Sequence, residues 1–174
     1  KLINALFHSS SGGMTENSQD VWKNKYPYLS SVKDFDKKNP KFRWQKNFSN
    51  KELFNLFPKI GGIKDIEILS ITDTGRVKNV KIYGAYGSNE MSGVDLRKKL
   101  GLNSTFVRFK LIEEQSKEFS PKKRLVVVGQ GFGHGVGMSQ WGAKYMASKG
   151  QKAEKILKYF YQGVQIKPFR KEYL

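Results

Sequence analysis

The amino-acid sequence predicts an α+β fold: a mostly antiparallel sheet with β-hairpins and a few short helices. Alternating, β-branched segments are separated by turns such as residues 73–76 (DTGR), where Gly75 supplies the positive φ of a hairpin. Short apolar-periodic segments begin at serines that have helix-capping spacing. The length of 174 residues favours one domain, which we place at residues 1–174.

The first quarter of the chain has the weakest periodicity. Residues 1–7 (KLINALF) are predicted to end a strand or helix, and residues 7–18 (FHSSSGGMTENS) to form a polar loop. Residues 21–32 are predicted to pack irregularly on the core, and residues 34–41 (DFDKKNPK) to form a surface loop. Residues 41–48 (KFRWQKNF) interleave bases with aromatics as single-strand nucleic-acid binders do, but their alternation fits a half-buried strand better.

Capping patterns predict the helices. Residues 49–57 and 92–102 each begin with a serine that an acidic residue follows at the third position, the spacing of a capping box. Ser139 is predicted to cap a helix that runs to residue 148. Residues 153–163 predict an amphipathic helix that ends at a glycine. Its apolar face comprises Ile156, Leu157, Phe160 and Tyr161.

Strands are predicted from alternation and from β-branched runs. Residues 66–72 and 77–83 flank the hairpin turn, and residues 106–114 (FVRFKLIEE) alternate apolar with polar side chains. Residues 124–129 (RLVVVG) form an apolar run that predicts a buried strand.

The run GQGFGHGVG at residues 129–137 places a glycine at every second position. In an extended strand, this alternation would leave one face as bare backbone, which another backbone or a ligand can approach closely. Each glycine costs about 0.5–1 kcal/mol relative to alanine, so the run favours a functional site over a mere crossing of strands. Dinucleotide and P-loop motifs do not fit, because their last glycine and their lysine are missing.

Composition limits the function classes. The formal net charge of +17 favours binding to polyanions such as nucleic acid, anionic membrane surfaces or wall polymers. The lysines are scattered along the sequence, however, which is typical of an ordinary solvated surface. The absence of cysteine excludes disulfides and thiolate metal sites. No apolar run reaches membrane-spanning length.

The histidines His8 and His134 both lie in glycine- or serine-rich segments, which indicates a shared site for proton transfer, metal ligation or substrate hydrogen bonding. Zinc would need a carboxylate such as Glu16 or an outside ligand. Glu16 is also a candidate general acid, substrate contact or loop-capping group. A serine nucleophile is a further alternative, although no G-x-S-x-G elbow is present. The candidate serines are Ser10, Ser11 and Ser139.

Together, these segments resemble the stage II sporulation protein D family, also called SpoIID/LytB. The resemblance lies in F-H-S-S-S-G-G-M-T-E-N-S (residues 7–18), S-G-V-D-L-R-K-K-L-G-L (92–102) and G-F-G-H-G-V-G-M-S-Q-W-G-A (131–143). V-W and P-Y-L-S-S-V (within 21–32), the D-T-G-R-V hairpin and I-L-K-Y-F-Y-Q-G-V (156–164) extend it over nearly the whole chain.

The resemblance implies an extracytoplasmic cell-envelope protein that acts on peptidoglycan. One branch of the family resembles lytic transglycosylases, which cleave glycan strands to 1,6-anhydromuramic ends. In that reaction the muramic acid 6-hydroxyl is the nucleophile, so one protein carboxylate can serve as acid and then base. Another branch enhances a wall amidase. The implied partners are glycan strands and other cell-wall hydrolases, with no nucleic acid and no cofactor.

The family's catalytic glutamate lies on an alanine-rich helix upstream of the F-H-S-S-S-G-G segment, so we expect it before Lys1. Within this chain the catalytic candidates are His134 and Glu16. No metal site is expected, because the cysteines that some relatives use have no counterpart here. The expected substrate-binding residues are His8, Ser9, Ser10, Ser11, Gly12, Gly13, Thr15, Gln130, Gly133, Gly135, Gly137, Met138, Ser139 and Gln140. A non-catalytic wall-binding or amidase-activating module and, on charge alone, a nucleic-acid binder are the alternative hypotheses.

Overall fold

The computed structural model describes residues 2–22, 24–114 and 122–168, and the chain divides into two compact units. The first unit combines Lys1–Phe42 with Gly131–Leu174, and the second is the continuous stretch Arg43–Gln130. Helices and mostly antiparallel sheets occur together in the described residues, so the predicted α+β class is confirmed. None of the described helices is long and apolar enough to cross a membrane.

The elements in chain order are β1 (Phe7–His8), α1 (Ser18–Val21), β2 (Arg43–Phe48), α2 (Asn50–Leu56), a 3-10 turn (Pro58–Ile60), β3 (Asp65–Ile71), β4 (Val77–Tyr83), β5 (Ser88–Ser92), α3 (Gly93–Lys99), β6 (Val107–Glu114), β7 (Lys122–Gln130), β8 (Met138–Ser139), α4 (Gln140–Ser148) and α5 (Ala153–Phe160).

The second unit contains antiparallel sheets in the strand orders β2–β7–β6 and β3–β4–β5. The predicted hairpin joins β3 to β4, and Gly75 has the expected positive φ of 85°. Ser49 and Glu52 form the predicted capping box of α2, and the Ser92 side chain caps α3 by accepting the Asp95 N–H. Apolar side chains from these helices and from both sheets form the core of the unit.

The first glycine of the alternating run belongs to this second unit. Gly129 pairs with Trp44 across β2 and β7, and a Cβ at Gly129 would collide with the Trp44 indole. Trp44 packs against the core of the unit. The bare backbone at Gly129 therefore makes room for a tryptophan side chain.

The first unit is built from β1, β8 and the helices α1, α4 and α5. β1 and β8 form a short parallel pair, in which Phe7 lies opposite Met138 and His8 opposite Ser139. Its core contains Leu29, Val136, Met146, Ile156, Phe160 and Tyr161. The predicted apolar face of α5 is therefore confirmed, although the helix ends at Phe160 rather than at the predicted glycine.

Several local predictions were wrong. The strand β5 and the helix α1 were missed, because the sequence SNEMS has little β-branched character and α1 has only four residues. The predicted surface loop at residues 34–41 contains three buried polar side chains, those of Asp34, Asp36 and Asn39. Residues 131–137 are not an extended strand, because all four of their glycines have positive φ.

Candidate functional site

The glycine segment after β7 lies against the backbone of residues 6–12 in the first unit. Ser10 N–H donates to the Phe132 carbonyl (3.1 Å), and Phe132 N–H donates to the Ser10 carbonyl (2.7 Å). A Cβ at Gly131 would collide with the backbone of residues 10–12, and one at Gly133 would lie 2.7 Å from the His8 Cβ. The bare backbone here faces protein, so the glycines allow two chain segments to approach closely.

Val136 brings the two histidines together, as the sequence predicted. The His8 Nδ1–H donates to the Val136 carbonyl, and the Val136 N–H donates to His134 Nδ1, each over 3.1 Å. The centroids of the two imidazole rings are 5.5 Å apart. Because a carbonyl only accepts and an N–H only donates, neutral His8 carries its proton on Nδ1 and neutral His134 carries its proton on Nε2.

The two rings differ in their access to solvent. His8 is buried, whereas His134 is half-buried. Trp22, to which the sequence analysis assigned no role, places its indole 5.1 Å from the His134 ring at an interplanar angle of 60°. The sequence carried only a weak indication of this contact, since Trp22 closely follows the polar loop at residues 7–18 but stands far from the glycine segment.

A buried pair of carboxylates, Asp34 and Asp36, holds the serine-rich loop. Ser11 Oγ donates to Asp34 Oδ2 (2.6 Å), while Ser10 Oγ (2.5 Å) and the Gly12 N–H (2.8 Å) donate to Asp36 Oδ2. Burial, and secondarily the neighbouring Asp36 charge, raises the pKa of Asp34 above its ordinary value. The pair therefore fixes the loop that carries His8.

Asp34 also reaches the start of α4. The Ser139 hydroxyl acts to lower the pKa of Asp34, and it accepts the Gly142 N–H over 3.1 Å as the N-cap of the helix. A Cβ at Gly142 would collide with Asp34 Oδ1. The predicted cap is confirmed, and the carboxylate joins it to the serine-rich loop.

The predicted polar contacts of the loop are largely internal. Ser10, Ser11, Thr15 and Ser139 are all buried. Thr15 Oγ1 accepts the Val32 N–H (2.8 Å), which connects the loop to the segment before Asp34. In these positions the hydroxyls stabilise the loop, and their contact with substrate stays a prediction.

Glu16 is fully buried. Its Oε1 accepts the N–H of Asn17 (2.9 Å), and its own N–H donates to the Gly135 carbonyl (2.8 Å). This geometry favours the loop-capping role among the three roles considered for Glu16, and its role as a catalytic acid stays a prediction.

The remaining predicted residues differ in their surroundings. Ser9, Gly13, Gly133 and Met138 are half-buried, Gln140 is exposed, and Gly12, Gly135 and Gly137 are buried. The Ser9 carbonyl accepts the Trp141 N–H (3.1 Å) in the first turn of α4. Gln130 ends β7 and belongs to the second unit. Within the described ranges, no three or more His, Asp or Glu side chains are grouped to hold a metal ion.

Comparison with known proteins links this arrangement to a family. A family described as a domain of unknown function (DUF8618) matches residues 19–137, which is more than half of the chain. Stage II sporulation protein D of Bacillus subtilis (strain 168) is 40% identical over 94% of this chain, and the protein of the same name from Bacillus amyloliquefaciens is 38% identical over 95%. The chain spans 45% of the length of each of these two relatives.

A third relative has a different name. The amidase enhancer of Bacillus subtilis (strain 168) is 28% identical over 95% of this chain, which spans 30% of that protein. Each of the three matches covers almost the entire chain. The chain belongs to the stage II sporulation protein D family.

Proposed function

We propose that this chain is the glycan-binding part of a cell-envelope protein that acts on peptidoglycan, and that the full-length protein cleaves glycan strands to 1,6-anhydromuramic ends. The observation that carries the proposal is a group of three rings: His8 and His134 are hydrogen-bonded to Val136, and Trp22 contacts the His134 ring. The group combines a fixed imidazole with a partly exposed indole, the two kinds of group that hold a sugar ring. The relatives named stage II sporulation protein D support it.

The internal bonding of the site defines how His134 would act. Nδ1 accepts the Val136 N–H, so the Nε2 edge is the one through which neutral His134 would meet a sugar hydroxyl or an N-acetyl group. In the proposed reaction the muramic acid 6-hydroxyl attacks the anomeric carbon and the leaving glycosidic oxygen takes a proton from a carboxylic acid. The same carboxylate then removes the proton of the attacking hydroxyl.

The proton donor is assigned to another part of the full-length protein. Glu16, Asp34 and Asp36 are buried, and their oxygens accept hydrogen bonds from backbone N–H groups or serine hydroxyls. Their burial disfavours these three carboxylates as the acid, because proton transfer to a glycosidic oxygen requires access to substrate.

The test uses full-length protein, peptide-free glycan strands and mass spectrometry of the products. We expect anhydromuramic ends from the wild type and an at least about tenfold lower rate for His134→Asn, because that variant loses Nε2. The asparagine Oδ1 can still accept the Val136 N–H, so we expect a near-native circular dichroism spectrum and melting temperature. His134→Ala leaves that N–H unsatisfied and is expected to lose about 1–3 kcal/mol of stability as well.

A second candidate function is activation of a wall amidase without cleavage by this protein. The relative named amidase enhancer and the burial of the three carboxylates favour it. A full-length protein that yields no anhydromuramic ends, yet accelerates peptide release from peptidoglycan by an added amidase, would establish this function in place of the first. Both functions require an extracytoplasmic location, which protease accessibility on intact cells would measure.

A further inference from the structure

Trp22 occupies an unusual position for the largest apolar side chain. It directly follows α1, and its N–H donates to the Ser18 carbonyl (2.8 Å), so its backbone is held in place. Its side chain nevertheless stays 38% exposed. Trp44, by contrast, packs on a core, and Trp141 is half-buried with Lys144 Nζ 4.7 Å from its ring centroid. A fixed, partly exposed indole beside a half-buried imidazole is the kind of aromatic anchor on which binding surfaces depend.

The indole also contacts a ring that is itself held in place. Its ring lies 5.1 Å from that of His134, which lies 5.5 Å from that of buried His8. His8 is in turn hydrogen-bonded to the Val136 carbonyl, and His134 to the Val136 N–H. A tryptophan has only two side-chain torsions, and a tilted ring contact stabilises one orientation by about 0.5–1.5 kcal/mol. The indole is therefore already ordered, and little side-chain entropy is lost when a ligand binds.

We propose that Trp22 is a specificity-determining residue whose exposed indole face stacks on a pyranose ring of the glycan strand, next to His134. A pyranose has a face of C–H groups and a rim of hydroxyls, which matches an apolar ring beside an imidazole. This inference rests on the proposed function, because it assigns a subsite for the same glycan. It adds a residue that holds the sugar by its face and takes no part in proton transfer.

The test measures binding of full-length protein to peptide-free glycan strands by co-sedimentation and by the change in tryptophan fluorescence. Trp22→Ala is expected to weaken binding about tenfold, which corresponds to a loss of one well-placed aromatic contact. Trp22→Phe retains a ring face and is expected to stay within about threefold of the wild type. The matched control is Tyr86→Ala in the second unit, because Tyr86 is an exposed aromatic, 74% accessible, and lies outside the site.

The outcomes separate this inference from the function on which it rests. A folded Trp22→Ala protein that binds glycan within about threefold of the wild type would overturn the stacking role while leaving the proposed function intact. Wild-type protein that fails to bind glycan would overturn both. Oligothymidylate serves as the competing ligand, since exposed aromatics also stack on bases. Loss of oligothymidylate binding in Trp22→Ala with unchanged glycan binding would assign the indole to nucleic acid and reject the inference.

Discussion

At the scale of single residues, two buried carboxylates hold the serine-rich loop that carries His8, since Asp36 accepts the Ser10 hydroxyl and Asp34 the Ser11 hydroxyl. A shared site for His8 and His134 was expected because both lie in glycine- or serine-rich segments rather than on an apolar helix face, and their ring centroids are indeed 5.5 Å apart. The burial of Asp34 and Asp36 was not predicted, because Lys33 and Lys37 flank the segment and a carboxylate beside a lysine normally faces solvent. Their partners Ser10 and Ser11 lie more than twenty residues earlier, so only the folded chain shows that each carboxylate accepts a serine hydroxyl.

The raised pKa of Asp34 predicts a pH-dependent stability. A carboxyl group whose folded pKa exceeds its unfolded value binds its proton more tightly in the folded state, so its contribution becomes more favourable as the pH falls through the folded pKa. The ionised group, buried next to Asp36, therefore costs stability at neutral pH. We expect Asp34→Asn to raise the free energy of unfolding more, or to lower it less, at pH 7 than near pH 4. Urea denaturation at each pH measures this difference.

Asp73→Asn is the control for this prediction, since Asp73 is exposed in the hairpin turn. Its effect is expected to be small at both pH values. If the effect of Asp34→Asn were the same at pH 7 and pH 4, Asp34 would not titrate differently in the folded and unfolded chain.

At the scale of elements, the accuracy of prediction followed the distance between interacting groups. The serine caps of α2 and α3 and the hairpin turn depend on residues two to four positions apart, and they were located correctly. The strand β5 depends on hydrogen bonds to β4, and its own residues have little preference for a strand. The glycine alternation was recognised, but its conformation was not, because positive φ values arise from packing against residues 6–12.

The close approach at Gly137 gives a prediction with a matched control. Gly137 and Gly150 have nearly equal φ values, 74° and 76°, so alanine meets similar backbone strain at both. A Cβ at Gly137 would collide with the Leu6 carbonyl, whereas nothing lies within 4 Å of one at Gly150. We expect Gly150→Ala to lower the free energy of unfolding by about 1–2 kcal/mol. Gly137→Ala should lower it by about 1–3 kcal/mol more than Gly150→Ala does, as measured by chemical denaturation. Equal losses would show that packing against Leu6 is unimportant.

At the scale of the whole molecule, charge is the property that the sequence states most directly. The excess of 17 positive charges says nothing about the fold, but it predicts faster and tighter association with anionic polymers. Removal of stem peptides by an amidase leaves a lactyl carboxylate on each muramic acid. Peptide-free glycan is therefore a polyanion, and the positive charge complements it.

This complementarity predicts salt-sensitive glycan binding. Raising the salt from about 50 to about 500 mM should weaken binding to peptide-free strands several-fold, because screening shortens the range of the attraction. Strands whose carboxylates have been converted to neutral amides should bind more weakly at low salt and show little salt dependence. Equal, salt-independent binding of both polymers would mean that the net charge has no part in recognition.

The bonding at the ends of the second unit has a consequence for protein engineering. Arg43 lies opposite Gln130 in the β2–β7 pair, and within the first unit the Gly131 N–H donates to the Phe42 carbonyl over 2.9 Å. Phe42 and Gly131 are thus already one hydrogen bond apart, and a short glycine-containing turn can join them at a small loop-closure cost. We therefore expect that residues 43–130 can be replaced by such a turn while Phe42 and Gly131 keep their positions in the histidine-bearing unit, which circular dichroism of the shortened protein would check.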